Sequence, residues 1–254
     1  MSNLILTDSA GSIATLTLNR PERHNSLIPE LLREMLDALD SLRARSDVRV
    51  VVLRANGRSF STGGDVRAFA DHQADIETYA REVVGLLNQI IISLINLPVP
   101  LVAAVHGLVT GGALGFVLAA DIVLVAPEAR FQPYYTTVGY SPDGGWTALL
   151  PRIIGFKRAA EVQLLNQAIT AEQAVAWGLA SRLVPAHQLE DEARTVAEAI
   201  ARQLPGSVRR TRQLLWDALP SLVERLDAER DSFVEQIATI EACEGMRAFL
   251  NNRR

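Results

Sequence analysis

Hydrophobic positions along the chain follow two patterns, with strand-like runs in the first half and helix-like spacing in the last third. Residues 13–18 alternate in polarity, and residues 48–53 are mostly β-branched, so both segments are predicted to be strands. Residues 29–43 carry apolar side chains at helical spacing, with Pro29 suited to a first helical turn. Strand, helix and strand in this order predict a right-handed crossover and a mostly parallel sheet.

The remaining segments extend this α/β pattern. Residues 4–7 and 13–18 flank a glycine-containing turn and predict a hairpin. A further strand is predicted at 121–126, and helices are predicted for residues 76–95, 157–165, 171–177, 189–203 and from 207 to the end. Residues 141–145 form a predicted turn, which leads into a helix through residue 150.

Two glycine loops follow predicted buried strands. Residues 100–107 form an apolar run, and Gly111 and Gly112 then precede an apolar helix at 114–120. Upstream, the strand ending near residue 54 leads into Gly63, Gly64 and Asp65. A glycine loop at a helix start leaves backbone N–H groups unpaired and lets a substrate approach closely. Either loop alone is explained by tight packing, but two together predict two N–H donors converging on one oxygen.

Composition and charge exclude several classes of function. The chain has 254 residues and a net charge of −4, which fits one large domain without a general nucleic-acid surface. Cys243 is the single cysteine, so neither an internal disulfide nor a cysteine zinc cluster is expected. The N-terminus resembles no signal peptide, and polar residues and prolines interrupt the apolar segment 86–105. We therefore expect a cytoplasmic protein with no membrane span and no metal.

The two loops and their flanking motifs resemble the crotonase family, the enoyl-CoA hydratase/isomerase superfamily. The resemblance covers nearly the whole chain, at residues 18–27, 60–65, 103–121, 142–155 and 176–179. It implies a crotonase-like spiral of ββα repeats with a C-terminal helical region. Residues 1–200 would then form the core with the acyl-CoA site, and residues 201–254 would build contacts in a homotrimer or a dimer of trimers.

The resemblance also implies where the chemistry occurs. The backbone N–H groups of Gly64 and Gly112 would hold the thioester oxygen of an acyl-CoA substrate, with Gly63 and Gly111 beside them. The two glutamates of the family's hydratases match Gly115 and Tyr135 here, so neither carboxylate is present. Tyrosine has a reference pKa of about 10 and takes no proton from water at neutral pH. Hydration is therefore disfavoured.

Asp143 is the remaining carboxylate near these motifs. Pro-Asp-Gly is a favourable turn sequence, and an aspartate can also cap a following helix, so a purely structural role stays open. Asp143 also matches the catalytic aspartate of isomerase and dehalogenase members of the family. Nearby aromatic residues would raise its pKa toward the working pH, which suits a general base. A dehalogenase-like reaction would make it a nucleophile, but the histidine of that group matches Asn88.

Further residues are expected to bind substrate. Arg23 and His24 lie in the loop matched to the family's coenzyme A contacts, and Phe249 matches a residue lining the adenine site. Asp65 and Tyr135 complete the predicted set, although Asp65 also fits a structural role in its loop. The family lysine near the C-terminus matches Asn252, with Arg253 as a substitute. Residues 69–79 form a polar segment expected to contribute to substrate specificity.

These observations favour an acyl-CoA isomerase of fatty acid metabolism that shifts a double bond through an enolate. Coenzyme A enters as part of the substrate, and no cofactor is expected. A linear enoyl-CoA and a ring-derived thioester both remain open. The alternatives are a hydratase, a dehalogenase-like enzyme, or a protein that binds acyl-CoA without turnover.

Overall fold

The fold alternates pairs of strands with helices, in a computed structural model that describes residues 3–216 and 221–251. The strands are β1 (Ile5–Ala10), β2 (Ile13–Leu18), β3 (Val50–Ala55), β4 (Leu101–Val105), β5 (Leu108–Thr110), β6 (Ile122–Val125), β7 (Arg130–Gln132), β8 (Ile169–Thr170) and β9 (Arg182–Leu183). The helices of the first half are α1 (Pro29–Arg43), α2 (Val66–Asp71), α3 (Ile76–Ile95), α4 (Leu114–Leu118) and α5 (Tyr135–Val138). Those of the second half are α6 (Leu150–Ile154), α7 (Phe156–Leu164), α8 (Ala171–Ala176), α9 (Leu189–Ala201), α10 (Pro205–Trp216), α11 (Leu222–Ile237) and α12 (Ile240–Asn251).

Two sheets share these strands. The larger sheet has the order β1-β2-β3-β4-β6-β9, and all its neighbours are parallel except the β1–β2 hairpin. The smaller sheet has the order β5-β7-β8. In the pairs β4–β5 and β6–β7, the first strand enters the larger sheet and the second the smaller one, and a helix follows. The predicted mostly parallel sheet and the ββα organisation are therefore confirmed.

The central strands of the larger sheet are buried on both faces, and their successive side chains enter two different clusters because they point in opposite directions. On β3, Val51 and Leu53 belong to the main core with α1 and α3, whereas Val50 and Val52 face a second cluster beneath α9. A strand buried on both faces reads as a continuous apolar run, as residues 48–53 do.

Several predicted boundaries agree with the structure, and others are wrong. Helices α1 and α3 begin and end where the apolar spacing predicts. The helix predicted from the 141–145 turn through residue 150 is instead a series of turns, and α6 begins only at Leu150. The polar segment 69–79 is helical at both ends, where Phe69 and Tyr79 are buried side chains. The expected role of this segment in substrate specificity stays a prediction.

The C-terminal helices pack on the core of the same chain. Arg212 on α10 is buried and donates hydrogen bonds from Nη1 to the carbonyl oxygens of Ile95 and Leu97, both at 2.6 Å. Its Nε donates to Asp121 Oδ2 at 2.7 Å, and Trp216 Nε1 donates to Oδ1 at 2.7 Å. A guanidinium group thus satisfies carbonyls that the end of α3 leaves unpaired. The separation at residue 200 and the role in subunit contacts stay predictions.

The helices were compared with the length and apolar character that crossing a membrane requires. Across residues 3–216 and 221–251, no helix has both.

Candidate active site

A cavity of about 340 Å³ opens between the two glycine loops, α5, α11 and α12. It is lined by most of the predicted site residues, namely Arg23, His24, Gly64, Asp65, Gly111, Gly112, Tyr135, Asp143 and Phe249. Gly63 is the exception and lies behind the cavity wall, because its backbone packs against the other glycine loop. The two loops and the Asp143 turn, distant in sequence, therefore meet at one place.

The two glycine loops are joined by backbone hydrogen bonds. The Ser61 N–H donates to the Leu108 carbonyl, and the Thr110 N–H donates to the Ser61 carbonyl, both at 3.1 Å. These bonds make a parallel bridge that sets Ser61 opposite Val109. Three residues further along each segment come Gly64 and Gly112, which therefore occupy equivalent positions in the two loops.

Both loops bend at a glycine with left-handed backbone geometry. Gly63 has a φ of 70° and Gly111 a φ of 52°, a region that residues with a side chain rarely adopt. A methyl carbon added at Gly63 would stand 2.5 Å from the Thr110 carbonyl oxygen. Glycine is required there both by the backbone angle and by the close approach of the second loop.

The amide groups after the two bends are left without partners. Leu27 pairs with Gly64 in a parallel bridge, in which its N–H donates to Gly63 at 2.8 Å and its carbonyl accepts from Asp65 at 3.1 Å. The N–H of Gly64 therefore points away from Leu27. Gly112 lies in the single 3-10 turn that precedes α4, where N–H groups lack helical acceptors. Among the described residues, neither amide donates a hydrogen bond.

Asp143 stands beside the second of these amides. Its side chain is 6% exposed, and its Oδ1 accepts a hydrogen bond from the Tyr135 hydroxyl at 2.5 Å. A methyl carbon added at Gly112 would lie 2.8 Å from Asp143 Oδ1. Burial raises the pKa of Asp143 to about 7; the hydrogen bond from Tyr135 opposes that rise, and the charge of Glu229 adds to it. Asp143 therefore exchanges a proton near neutral pH.

Tyr135 is fixed between Asp143 and an aromatic neighbour. Its ring meets Trp146 edge to face, with centroids 6.3 Å apart, and Trp146 Nε1 donates to the Gly111 carbonyl at 2.8 Å. Burial, followed by the charge of Asp143, raises the pKa of Tyr135 well above its ordinary value. Tyr135 is therefore a hydrogen-bond donor to the carboxylate and not a second base.

Position 115, matched to the first glutamate of the family's hydratases, has no room for a side chain. A methyl carbon added at Gly115 would stand 2.4 Å from Ile91 Cδ1 and 2.9 Å from the Gly144 carbonyl oxygen. The turn that follows Asp143 thus occupies part of the space that a carboxylate at position 115 would need.

An aromatic group closes one side of the cavity. Phe69, Tyr140 and Phe233 contact each other, with ring centroids 5.3 to 6.0 Å apart. Val83 and Leu87 on α3 line the same side. This wall is apolar enough to hold an acyl group, and Phe233 is a part of it that the sequence analysis missed.

Polar side chains line another part of the cavity. Asp65 caps α2 through hydrogen bonds from the N–H groups of Arg67 and Ala68 at 3.2 and 3.4 Å. Arg20 and Arg23 pair with the same carboxylate at 3.0 and 3.3 Å. Burial alone would raise the pKa of Asp65, but the hydrogen bond from Arg20 and the charge of Arg23 hold it below its usual value. Asp65 therefore stays charged and orders the two arginines.

His24 and Phe249, two further residues that are predicted to bind substrate, also line the cavity. His24 has left-handed backbone geometry, and its Nδ1 lies 3.1 Å from Ser59 Oγ. Phe249 on α12 meets Tyr134 edge to face, with centroids 5.9 Å apart. Asn252 and Arg253, the other residues considered for this region, lie outside the described residues. The substrate-binding role of this group stays a prediction.

Glu229 on α11 is a buried carboxylate that the sequence analysis did not identify. Its Oε2 accepts from the Gly145 N–H, and its Oε1 accepts from the N–H groups of Thr147 and Ala148, each at 2.7 Å. Thr147 Oγ1 donates to Oε1 at 2.5 Å. Because α11 is rich in charge, one glutamate among many gave no signal of this contact.

Asn88 faces away from the cavity. Its Nδ2 donates to the Leu226 carbonyl at 2.8 Å, so it joins α3 to α11.

In the part of the chain that the structure describes, no group of three or more His, Cys, Asp or Glu side chains is arranged to hold a metal ion.

Known proteins resemble this chain in sequence and fold. The model of the family described as enoyl-CoA hydratase/isomerase matches residues 8–254. The chain is 31% identical to trans-2-decenoyl-[acyl-carrier-protein] isomerase of Streptococcus mutans, over 98% of this chain and 96% of that protein. It is 32% identical to 1,2-epoxyphenylacetyl-CoA isomerase of Escherichia coli, over 100% of this chain and 97% of that protein.

A solved structure agrees with the family match. The crystal structure of an enoyl-CoA hydratase/isomerase from Xanthobacter autotrophicus Py2 superposes with a TM-score of 0.90 at 28% identity, covering 100% of this chain and 98% of that one. The family match and the superposition both extend over nearly the whole chain. The protein is therefore a crotonase-fold member of the enoyl-CoA hydratase/isomerase family.

Proposed function

We propose that this protein is an acyl-CoA isomerase that moves a double bond along the acyl group. Asp143 is its single acid/base residue, and the amides of Gly64 and Gly112 hold the thioester oxygen. One observation carries the proposal: a buried carboxylate with a pKa of about 7 lies next to Gly112, in the cavity that Gly64 also lines, and among the described residues neither glycine amide donates a hydrogen bond.

The oxyanion role follows from the spacing of the loops. Neighbouring strands lie ~4.8 Å apart, so two equivalent amides on them can both reach one oxygen at ~2.9 Å. Hydrogen bonds from both amides polarise the thioester carbonyl and stabilise the negative charge of an enolate. Neither amide has a competing acceptor among the described residues, so both are free to donate.

Asp143 performs both proton transfers. Its ionised carboxylate removes an acidified proton from the acyl chain, and the electron pair of that C–H bond passes into the enolate. The neutral acid then returns the proton to a different carbon, so the double bond shifts without water or a redox cofactor. Tyr135 occupies Oδ1, which leaves Oδ2 to carry the proton. A pKa of about 7 lets one group act as base and acid at neutral pH.

Hydration is the less favoured activity because it needs a second group to handle water. Gly115 and Tyr135 stand where the family's hydratases carry glutamates, and position 115 is filled by Ile91 and the Gly144 carbonyl. The other carboxylates that line the cavity are Glu22 and Asp65, of which Asp65 is engaged by arginines. Asp143 is thus the carboxylate that remains for the reaction.

A dehalogenase-like displacement and binding without turnover are less well supported. The displacement would need a base at Asn88, whose amide is bonded to the Leu226 carbonyl. A protein that only bound acyl-CoA would not need a buried carboxylate in the same cavity as two amides that have no acceptor among the described residues. The two relatives named above are both called isomerases, one of a carrier-protein thioester and one of a CoA thioester. A relative from Thermus thermophilus that is 35% identical is called a putative enoyl-CoA hydratase. The names therefore leave isomerisation and hydration open, and they make both carriers worth testing.

The assembly is part of the same proposal. We infer a homotrimer or a dimer of trimers in the cytoplasm, supported by apolar side chains that this chain leaves exposed near α7. Phe156, Leu164 and Leu165 are 69%, 74% and 63% exposed. Light scattering on the purified protein tests this, and a monomer would contradict it.

The decisive test compares Asp143→Asn with the wild type on 3-enoyl thioesters of coenzyme A and of acyl carrier protein. We expect conjugated 2-enoyl products from the wild type and a loss of about 10²–10⁴-fold in kcat for the variant. Asp8→Asn, at an exposed carboxylate on β1 outside the cavity lining, is the matched control and should keep full activity. Equal rates for Asp143→Asn and wild type would exclude Asp143 as the base. A 3-hydroxyacyl product carrying labelled water oxygen would instead establish hydration.

A further inference from the structure

Glu229 is a buried titratable group that the proposed reaction does not use. It is 5% exposed and is not among the residues that line the cavity. Its two oxygens nevertheless accept four hydrogen bonds from the turn that follows Asp143. A side chain with so many contacts to one short segment is placed to control that segment.

The donors facing Glu229 require its ionised form. Three of them are backbone N–H groups, which can only donate, and they point at both carboxylate oxygens. Burial raises the pKa of Glu229, while the hydrogen bond from Thr147 and those from the backbone amides oppose that rise. A buried charge is tolerated only when such donors compensate it, so Glu229 and the turn depend on each other.

The turn has little conformational preference of its own. Gly144 and Gly145 have φ values of 63° and 87°, and two successive glycines offer many alternative backbone conformations. Yet the turn is closely packed, since a methyl carbon added at Gly144 would lie 2.5 Å from the Gly112 carbonyl oxygen. The order of this segment must therefore come from contacts outside it. Glu229 supplies four hydrogen bonds, and Trp146 Nε1 adds one to the Gly111 carbonyl.

We propose that Glu229 is a positioning residue, whose carboxylate holds the 144–148 turn in the conformation that sets Asp143 against Gly112. This role rests on the proposed function, because it matters for turnover only if Asp143 moves the proton. Glu229 has a second effect through its charge, which contributes to the raised pKa of Asp143. The other neighbours of Asp143 are the Tyr135 hydroxyl from α5 and the apolar Leu87 from α3.

The test uses Glu229→Gln, which keeps the shape but turns an amide NH₂ toward a backbone donor. We expect kcat to fall by about 10- to 100-fold with KM within about twofold, because the acid is displaced while the binding walls stay. Infrared titration of the Asp143 carboxyl, without substrate, should show its pKa displaced below about 7 as the neighbouring charge is lost. A folded variant with unchanged kcat and an unchanged Asp143 titration overturns the proposal.

A matched control separates this role from general stability. Glu34 also accepts backbone N–H groups, from Leu4 at 2.8 Å and Ile5 at 3.1 Å, but lies outside the cavity lining. Glu34→Gln should leave kcat and the Asp143 titration unchanged. If it produced the same changes as Glu229→Gln, the positioning role would be wrong.

If Glu229→Gln does not fold, Thr147→Val and Thr147→Ser replace it in the test, because only serine keeps the hydroxyl that donates to Glu229. A lower kcat for valine than for serine supports the proposal, and equal kcat values contradict it. If the wild type isomerises no thioester, the proposed function fails, and a crystal structure of Glu229→Gln decides the positioning role: a displaced 144–148 turn supports it, and an unmoved turn contradicts it.

Discussion

Asp143 should destabilise the folded protein at the pH at which it works. Its pKa is 3.8 when unperturbed and about 7 in the folded state, where burial is the main cause of the rise. The folded protein therefore binds this proton more tightly than the unfolded chain does. Stability from this group is full below pH ~4 and is lost as the pH rises through about 7.

The size of the effect follows from the displacement of the pKa. The rise from 3.8 to about 7 spans roughly three pH units, each worth about 1.4 kcal/mol. Asp143→Asn removes the titration but keeps a neutral group of the same shape, to which Tyr135 can still donate. We expect the variant to exceed the wild type in unfolding free energy by on the order of 4 kcal/mol above pH 7.

Urea unfolding followed by tryptophan fluorescence, at fixed protein concentration from pH 4 to pH 8.5, measures this difference. The two proteins should be nearly equal at pH 4, and the gap should widen up to about pH 7 and then stay constant. Because all other groups titrate in both proteins, the difference reports Asp143 alone. A gap that is independent of pH, or a variant less stable than the wild type at pH 8, would refute the reasoning.

Other substitutions test the parts around Asp143. Gly112→Ala places a methyl carbon 2.8 Å from Asp143 Oδ1 and so displaces the acid, which should lower kcat by about 10²-fold. Gly85→Ala, in open space on α3, should leave kcat unchanged, and equal kcat values would count against the placement of Asp143 beside Gly112. Tyr135→Phe removes a hydrogen bond that lowers the pKa of Asp143, so the acidic limb of the kcat/KM profile should move to higher pH. An unmoved limb would show that Asp143 does not control the rate. Gly115→Glu should lower the unfolding free energy by about 1–3 kcal/mol and give no 3-hydroxyacyl product, as thermal denaturation and product analysis would show; a hydrated product would contradict the steric argument.

Much of the fold could be predicted because burial and periodicity coincide. Helices α1 and α3 each bury one continuous apolar face, so spacing alone gave their ends. The short β5 was instead assigned to the glycine loop, because its three residues carry no periodic signal. The predicted helix before Leu150 failed for a different reason. The segment is held in turns by Glu229, a partner about eighty positions away in sequence.

The candidate site likewise has residues that could be predicted from the sequence and residues that could not. Gly64, Gly112 and Asp143 stand in local sequence patterns, and their surroundings could be inferred from those patterns. Phe233 and Glu229 come from α11, where charge and apolar spacing are those of any surface helix. Their placement follows from how α11 packs against α3, which only tertiary structure reveals. Position 115 lacks a carboxylate in the sequence, but the filled space around it could be seen only in three dimensions.

The bridge between Ser61 and Val109 has a consequence for how this family can diversify. It fixes the two amides of the proposed oxyanion hole through main-chain geometry, so no side chain is needed to build that part of the proposed site. The proton-handling group sits on a separate turn, anchored by its own helix. Substitutions on that turn can therefore exchange one reaction for another while the groups that activate the thioester stay unchanged. A designer could vary the acid without rebuilding the two glycine loops.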